Sequence, residues 1–313
     1  MRATETASQC VRTLVAAASI AILAAASTAI GTPAAAQSVP PASTPVPPQF
    51  QQSYDAYLAM KAAAKGGVTK TYATLPDWSG LWTRGPGGLK FDAAQPGNPD
   101  EGKVTASLTP EFDAKYRKKL ADVAKGIEWD QLSFCLPAGY PRMLTEPFLR
   151  EWIVTPNQTW MINEQQSEVR RLHTDGRGHV PDDEAFALWE GDSIGFWDGD
   201  TLVVHTIRSK PGQYQRSQPD YTDQVSTVER MRKVSADVIE DEVVVWDPPA
   251  LTKPWKVKFT YVRVKSPGSR IDLWSCEENN NVVKTDGEST TFILPGEKGY
   301  RDAKSLLEAP KAP

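Results

Sequence analysis

The chain has little of what most catalytic signatures are built from. It holds three cysteines and three histidines in 313 residues. No H-x-x-x-H, HExxH or C-x-x-C spacing is present, so no metal-ligand motif stands in the sequence. No G-x-S-x-G elbow offers a serine nucleophile. No Gly-rich loop follows a strand and opens a helix, which argues against nucleotide cofactors, and none of any kind is expected. Net charge is −4 and no basic stripe runs along the chain, which disfavours a nucleic-acid partner. No internal repeat and no second linker divide it, so one domain is expected.

One long apolar run is present, at the start. Arg2 and Arg12 precede Leu14–Ile30, which is almost wholly Ala, Val, Leu and Ile, and Ala34-Ala35-Ala36 then leads to Gln37. This reads as an export signal over residues 1–36. The run approaches the length that spans a bilayer, but no positively charged stop follows it, so no stable membrane anchor is expected. A Pro-rich stretch, residues 37–50, reads as a linker unable to enter a core. The remainder, 51–313, is long enough for one large β domain with a helical start and an irregular C-terminal tail. Residence is expected in the periplasm, full secretion being the other outcome of export; a homodimer is compatible with the sequence.

Cys10 leaves with such a leader, and Cys135 and Cys276 remain. Two distant cysteines in an oxidising compartment suggest a bridge, with two buried free thiols as the alternative. Closing a loop of about 140 residues stabilises by roughly 4–5 kcal/mol in the chain-entropy model.

Two helices are signposted. Thr109 is placed to cap a helix to Lys125, with Pro110 at its first position, Glu111 and Asp113 near its positive end, and Gly126 as the stop. The basic run Lys115–Lys119 is read as its solvated face. Gln51–Lys65 is a second amphipathic stretch. Beyond Phe148 the pattern turns to strands: 148–155 and 159–164 around Pro156-Asn157, then 169–174, then 193–197 and 201–207 around Asp198-Gly199, the strongest hairpin signal in the chain. Strands at 225–234, 238–246, 255–264 and 270–276 follow, with one at 80–83 near the start. Short strands, tight turns and almost no intervening helix predict a mainly β fold, an antiparallel up-and-down barrel or a sandwich. Pairing across the 198–199 turn puts Ser193, Gly195, Trp197, Leu202 and Val204 on one face. Asp192, Ile194, Phe196, Val203 and His205 fall on the other, and both faces carry large apolar groups.

CLPAGYPR (135–142), TDGRGH (174–179), GDSIGFWDGDTLVVHT (191–206), VER (228–230), TKPW (252–255) and CEEN (276–279) together resemble a large family of secreted bacterial β proteins. The resemblance runs from about Trp78 to Asn280. It implies a lipocalin-like barrel, and Asp77–Trp82 (DWSGLW) is similar to the G-x-W opening of lipocalins. Family members often carry a carboxylate where this chain has His205 and histidine where it has Ser226. Some resemble cofactor-independent lyases that release formaldehyde from lignin-derived aromatic dimers.

His173 and His179 flank a Gly-rich turn with Asp175, Asp182 and Asp183 nearby, and His205 lies far along the chain; a polar turn is the favoured reading. General acid–base chemistry is the option the residues leave standing, because ionisable groups among apolar barrel neighbours have shifted pKa values. His205 or Glu229 is the expected base, and Arg171 or Tyr261, with Arg142 as another choice, would steady a developing oxyanion. Arg142, Trp152, Trp197 and His173 are the expected substrate-binding groups, the tryptophans clamping a small aromatic or hydrophobic molecule. The alternatives are a non-catalytic carrier and a structural envelope protein, whose barrel would be filled and hold no cavity. An enzyme should put two or more ionisable groups beside an aromatic clamp, whereas a carrier should show a mostly apolar wall with one anchor.

Overall fold

The computed structural model describes residues 45–86, 106–127, 130–272, 274, 276, 282–285 and 289–292. The leader at 1–36 and the linker up to residue 44 lie outside the described residues. Among the described residues no helix is long and apolar enough to cross a membrane.

Strands β1 (Trp82–Arg84), β2 (Arg150–Val154), β3 (Gln158–Asn163), β4 (Val169–His173), β5 (Asp192–Asp198) and β6 (Thr201–Ile207) form part of the barrel wall. A small ribbon of β7 (Gly212–Gln213) and β8 (Asp220–Tyr221) follows. The wall continues with β9 (Ser226–Ser235), β10 (Val238–Trp246) and β11 (Trp255–Arg263), and a separate pair β12 (Val282–Thr285) and β13 (Ser289–Phe292) comes last. Nine strands close in the order β1-β11-β10-β9-β6-β5-β4-β3-β2. The lipocalin-like barrel is therefore present, with one departure from a pure up-and-down path. β4 and β5 run parallel, joined through His173 and Ile194, because residues 174–191 cross over outside the barrel instead of turning tightly. The β5–β6 hairpin turns as expected: Gly199, with φ of +58°, supplies the left-handed residue a tight turn needs.

Helix α1 (Gln51–Ala63) explains why both faces of β5 and β6 are apolar. Trp197, Leu202 and Val204 face inward, while Ile194, Phe196, Val203 and Val228 face outward and are buried beneath Tyr57 and Trp246. Each such buried side chain contributes roughly 1.5–3 kcal/mol, so α1 is part of the core and not an appendage. The preceding segment packs too. Val46 and Phe50 are buried against Ile207, so the Pro-rich stretch assigned to a linker enters the core at its C-terminal end.

Helix α2 (Pro110–Val123) forms where expected, with Gly126 at φ +77° just beyond it. Thr109 occupies the cap position, but its hydroxyl donates to the Pro249 carbonyl at 2.9 Å and accepts no helix N–H. Lys115 and Lys118 are exposed and pair with Glu111 and Asp122 one turn away. The strand expected at 270–276 does not form among its described residues, because both edges of β11 are already taken by β10 and β1. That segment instead lies against the β2–β3 side: the Asp272 N–H donates to Glu164 Oε1 at 3.3 Å, and Trp274 meets Phe148 edge-on at 5.0 Å.

The disulfide between Cys135 and Cys276 is formed, with Cα atoms 5.6 Å apart. It joins the end of the short 3-10 helix Gln131–Phe134 to this irregular segment, not to a strand.

Candidate functional site

Alternation along the strands brings an unusual set of charged groups into the barrel. Arg170 on β4 donates to Glu229 on β9 through Nη1 at 3.0 Å and again through Nη2, which also reaches Thr206 Oγ1 at 2.7 Å. Its guanidinium lies 3.7 Å above the Tyr140 ring, and the Tyr140 hydroxyl is 2.5 Å from Thr227 Oγ1. Asp241 on β10 is fully buried beside this pair. Among the described residues no donor reaches either of its carboxylate oxygens. Burial, and then the charge of Glu229, push its carboxyl well above the usual range, so Asp241 holds a proton that it can donate toward Glu229. Arg150 lies 4.8 Å over the Tyr261 ring, and burial raises that phenol's pKa. Trp152 meets Tyr261 at 5.0 Å and Trp78 at 6.4 Å, and Trp78 meets Trp197 at 5.6 Å. The indole N–H groups of these three tryptophans have no acceptor among the described residues.

A second polar constellation lies on the outer face of the same sheet. Asp192 Oδ2 is 2.9 Å from His179 Nδ1, His179 Nε2 is 2.7 Å from His205 Nδ1, and His205 Nε2 is 2.9 Å from Ser53 Oγ on α1. Ser53 Oγ is also 2.8 Å from Ser226 Oγ and 2.9 Å from the Phe50 carbonyl. A carboxylate only accepts, so Asp192 takes the Nδ1 proton of His179. At the other end the Phe50 carbonyl and Ser226 Oγ compete with His205 Nε2 for the single proton of the Ser53 hydroxyl. Tyr54 and Tyr57 flank the pair at 5.4 Å and 5.6 Å from the His205 ring. Burial, and then His179, hold His205 well below the ordinary histidine range, so it is neutral.

Asp192 also borders an open cleft of about 330 Å³ between the outer face of β4 and the crossover. Arg171 and His173 project into it from β4, opposite Phe186 and Leu188.

The residues singled out from sequence thus divide among several places. Glu229, Tyr261, Trp152 and Trp197 meet inside the barrel. His205 does not join them: it pairs with Val228, one residue from Glu229, and so projects through the opposite face. Nor is it remote from the other histidines, since the crossover folds His179 onto it. Arg171 and His173 lie in the outer cleft. Arg142 is buried elsewhere, held by Asp130 through Nη1 and Nη2 at 2.8 and 3.1 Å and by Glu146 at 2.8 Å, so its donors brace the loops at one end of the barrel. The conspicuous groups missed were Arg170, Asp241 and the chain Ser53–His179–Asp192. A signal existed for Asp241: it stands in register with Ile239, Val243 and Val245, an inward apolar row. No sequence signal joins Ser53 to His205.

Among the described residues no group of three or more His, Cys, Asp or Glu is arranged to hold a metal ion. No protein-family model matches the chain, and no curated protein matches it.

Proposed function

We propose that this is an exported, cofactor-independent lyase that performs acid–base chemistry on a small aromatic molecule inside the barrel, releasing formaldehyde from lignin-derived dimers. The observation that carries the reading is a fully buried Asp241 carboxyl, its pKa raised by burial, beside the Glu229–Arg170 ion pair within a wall that includes Trp152 and Trp197. Two like carboxyl groups in different protonation states supply an acid and a base in one place. Six ionisable groups (Arg170, Glu229, Asp241, Arg150, Tyr261 and Tyr140) beside an aromatic clamp also meet the criterion for an enzyme better than the single anchor of a carrier. The motif resemblance favours the same substrate class, and the 135–276 disulfide is in keeping with an oxidising compartment.

In this reading Glu229 takes the proton of a substrate hydroxyl. The neighbouring carbon–carbon bond breaks, formaldehyde leaves, and the electron pair passes to the carbon conjugated with the ring. Asp241 returns a proton to that carbon, and Arg150 and Tyr261 stabilise the charge that develops between. All of these groups are buried.

The test is incubation of the purified protein, without cofactor, with a panel of lignin-derived aromatic dimers, assaying formaldehyde and the aromatic product. Equimolar release is expected, falling by about 10²–10⁴-fold in Asp241→Asn, the range general for loss of an acid–base group. Tight binding of one panel member with no turnover would replace the lyase by a carrier.

A further inference from the structure

The outer cleft is separate from the barrel interior, because adjacent residues of β4 serve each: Arg170 points in and Arg171 out. Its walls are unusual for exposed surface. Val169, Val180, Phe186 and Leu188 are all large apolar side chains left at least 40% exposed, and all four line this one cleft. Scattered singly they would need no explanation, but gathered in a concavity they mark a binding surface.

Charge selects the ligand. Arg208 spends its donors on the Val180 carbonyl at 2.8 Å and Asp182 at 3.2 Å, with Asp192 at 3.6 Å. Asp192 in turn is committed to His179 and to the Val180 N–H. Burial raises the Glu190 carboxyl, which favours its protonated, hydrogen-bond-donating form, and lowers His173 toward the neutral imidazole. Glu184 is exposed. Arg171 remains as the cation of the cleft with no acceptor among the described residues, its planar fork suited to a carboxylate.

We propose that the cleft between β4 and the 180–190 crossover binds a small aromatic carboxylate, the ring against Phe186 and Leu188 and the carboxylate on Arg171. The volume of about 330 Å³ suits one ring with a short side chain. This assignment stands whether or not the barrel interior is catalytic.

Calorimetric titration with cinnamate, and with cinnamyl alcohol as its uncharged counterpart, tests it. Saturable one-to-one binding of cinnamate is expected, with the alcohol at least tenfold weaker. Arg171→Gln should weaken cinnamate at least tenfold and leave the alcohol unchanged, whereas Phe186→Ser should weaken both. Arg171 and Phe186 are exposed, so both variants should keep the parent's melting temperature. Absence of saturable binding, or cinnamate affinity indifferent to Arg171→Gln, would overturn the proposal. So would loss of that affinity in Asp241→Asn, which would move the ligand into the barrel.

Discussion

The inside of the barrel and the outer face under α1 solve one problem, buried polar groups, by opposite means. Inside, Arg170 and Glu229 form an ion pair, and burial raises the carboxyl pKa of a third group, Asp241. Outside, His179 and a neutral His205 are strung between one partly buried carboxylate and a hydroxyl. The two constellations are one residue apart in sequence, since Val204 pairs with Glu229 on one face and His205 with Val228 on the other. Desolvating full charges is costly and is offset only by close pairing, whereas a neutral relay costs little and holds its parts loosely. The interior should therefore be the more brittle region, and the two should respond to pH with opposite signs.

The largest break is expected in the interior. Arg170→Met leaves Glu229 charged beside Asp241 with no counter-ion, and removal of one partner of a buried pair costs about 3–5 kcal/mol. Denaturant unfolding should show that loss, and replacing Glu229 by Met in the same chain should recover much of it. A cost below about 1 kcal/mol for the single change would mean the interior charges are not coupled as their geometry implies.

The next expectation separates the regions by the sign of their pH response. Asp241 has a raised pKa in the folded chain. Unfolded, it loses its proton above about pH 4, so stability falls as pH rises from there until the folded group also ionises. His205 has a lowered pKa. Unfolded, it gains a proton below about pH 6.5, so stability falls as pH drops from there toward the folded value. Each limb slopes by at most about 1.4 kcal/mol per pH unit for one proton. The groups facing His205 are His179, with Asp192 behind it, and Tyr54 and Tyr57 from α1. Between about pH 4 and 6.5 the two slopes oppose each other in the parent, so melting temperature over that range should rise with pH in Asp241→Asn and fall with pH in His205→Asn. If either substitution flattened the other limb, the assignment of groups to limbs would be wrong.

How much of this could be read in advance follows from the same face alternation. The hairpin at Asp198-Gly199, the helix ending before Gly126 and the pairing of Cys135 with Cys276 are local or compositional signals, and each stands in the structure. Facing was not readable. With α1 covering one side, β5 and β6 are apolar on both, and nothing in Arg170-Arg171 says which arginine turns inward. The β4 register decides it: Arg170 opposes the inward Met161, and Arg171 opposes Trp160. Contacts made by the crossover were beyond pattern altogether, since His179 reaches His205 only because β4 and β5 run parallel. The 270–276 segment looked like a strand because it alternates, but alternation cannot reveal that the barrel has already closed.

The smallest expected effect tests how loosely the outer relay is held. Ser53 is the single α1 side chain in the relay, and its hydroxyl reaches His205, Ser226 and the Phe50 carbonyl while having one proton to give. Ser53→Ala leaves His205 Nε2 without its hydrogen-bond partner under a helix that stays seated on Phe196, Val203 and Val228. One neutral hydrogen bond is worth about 1 kcal/mol, so the loss should be near that figure. Ser226→Ala should cost less, because its hydroxyl contacts the relay only through Ser53. Nitrogen-15 shifts of His205 should report the change at Nε2 while Nδ1 stays bonded to His179. A Ser53→Ala variant as stable as the parent, with unchanged imidazole shifts, would mean that α1 is held by its apolar face alone and that the relay ends at His205.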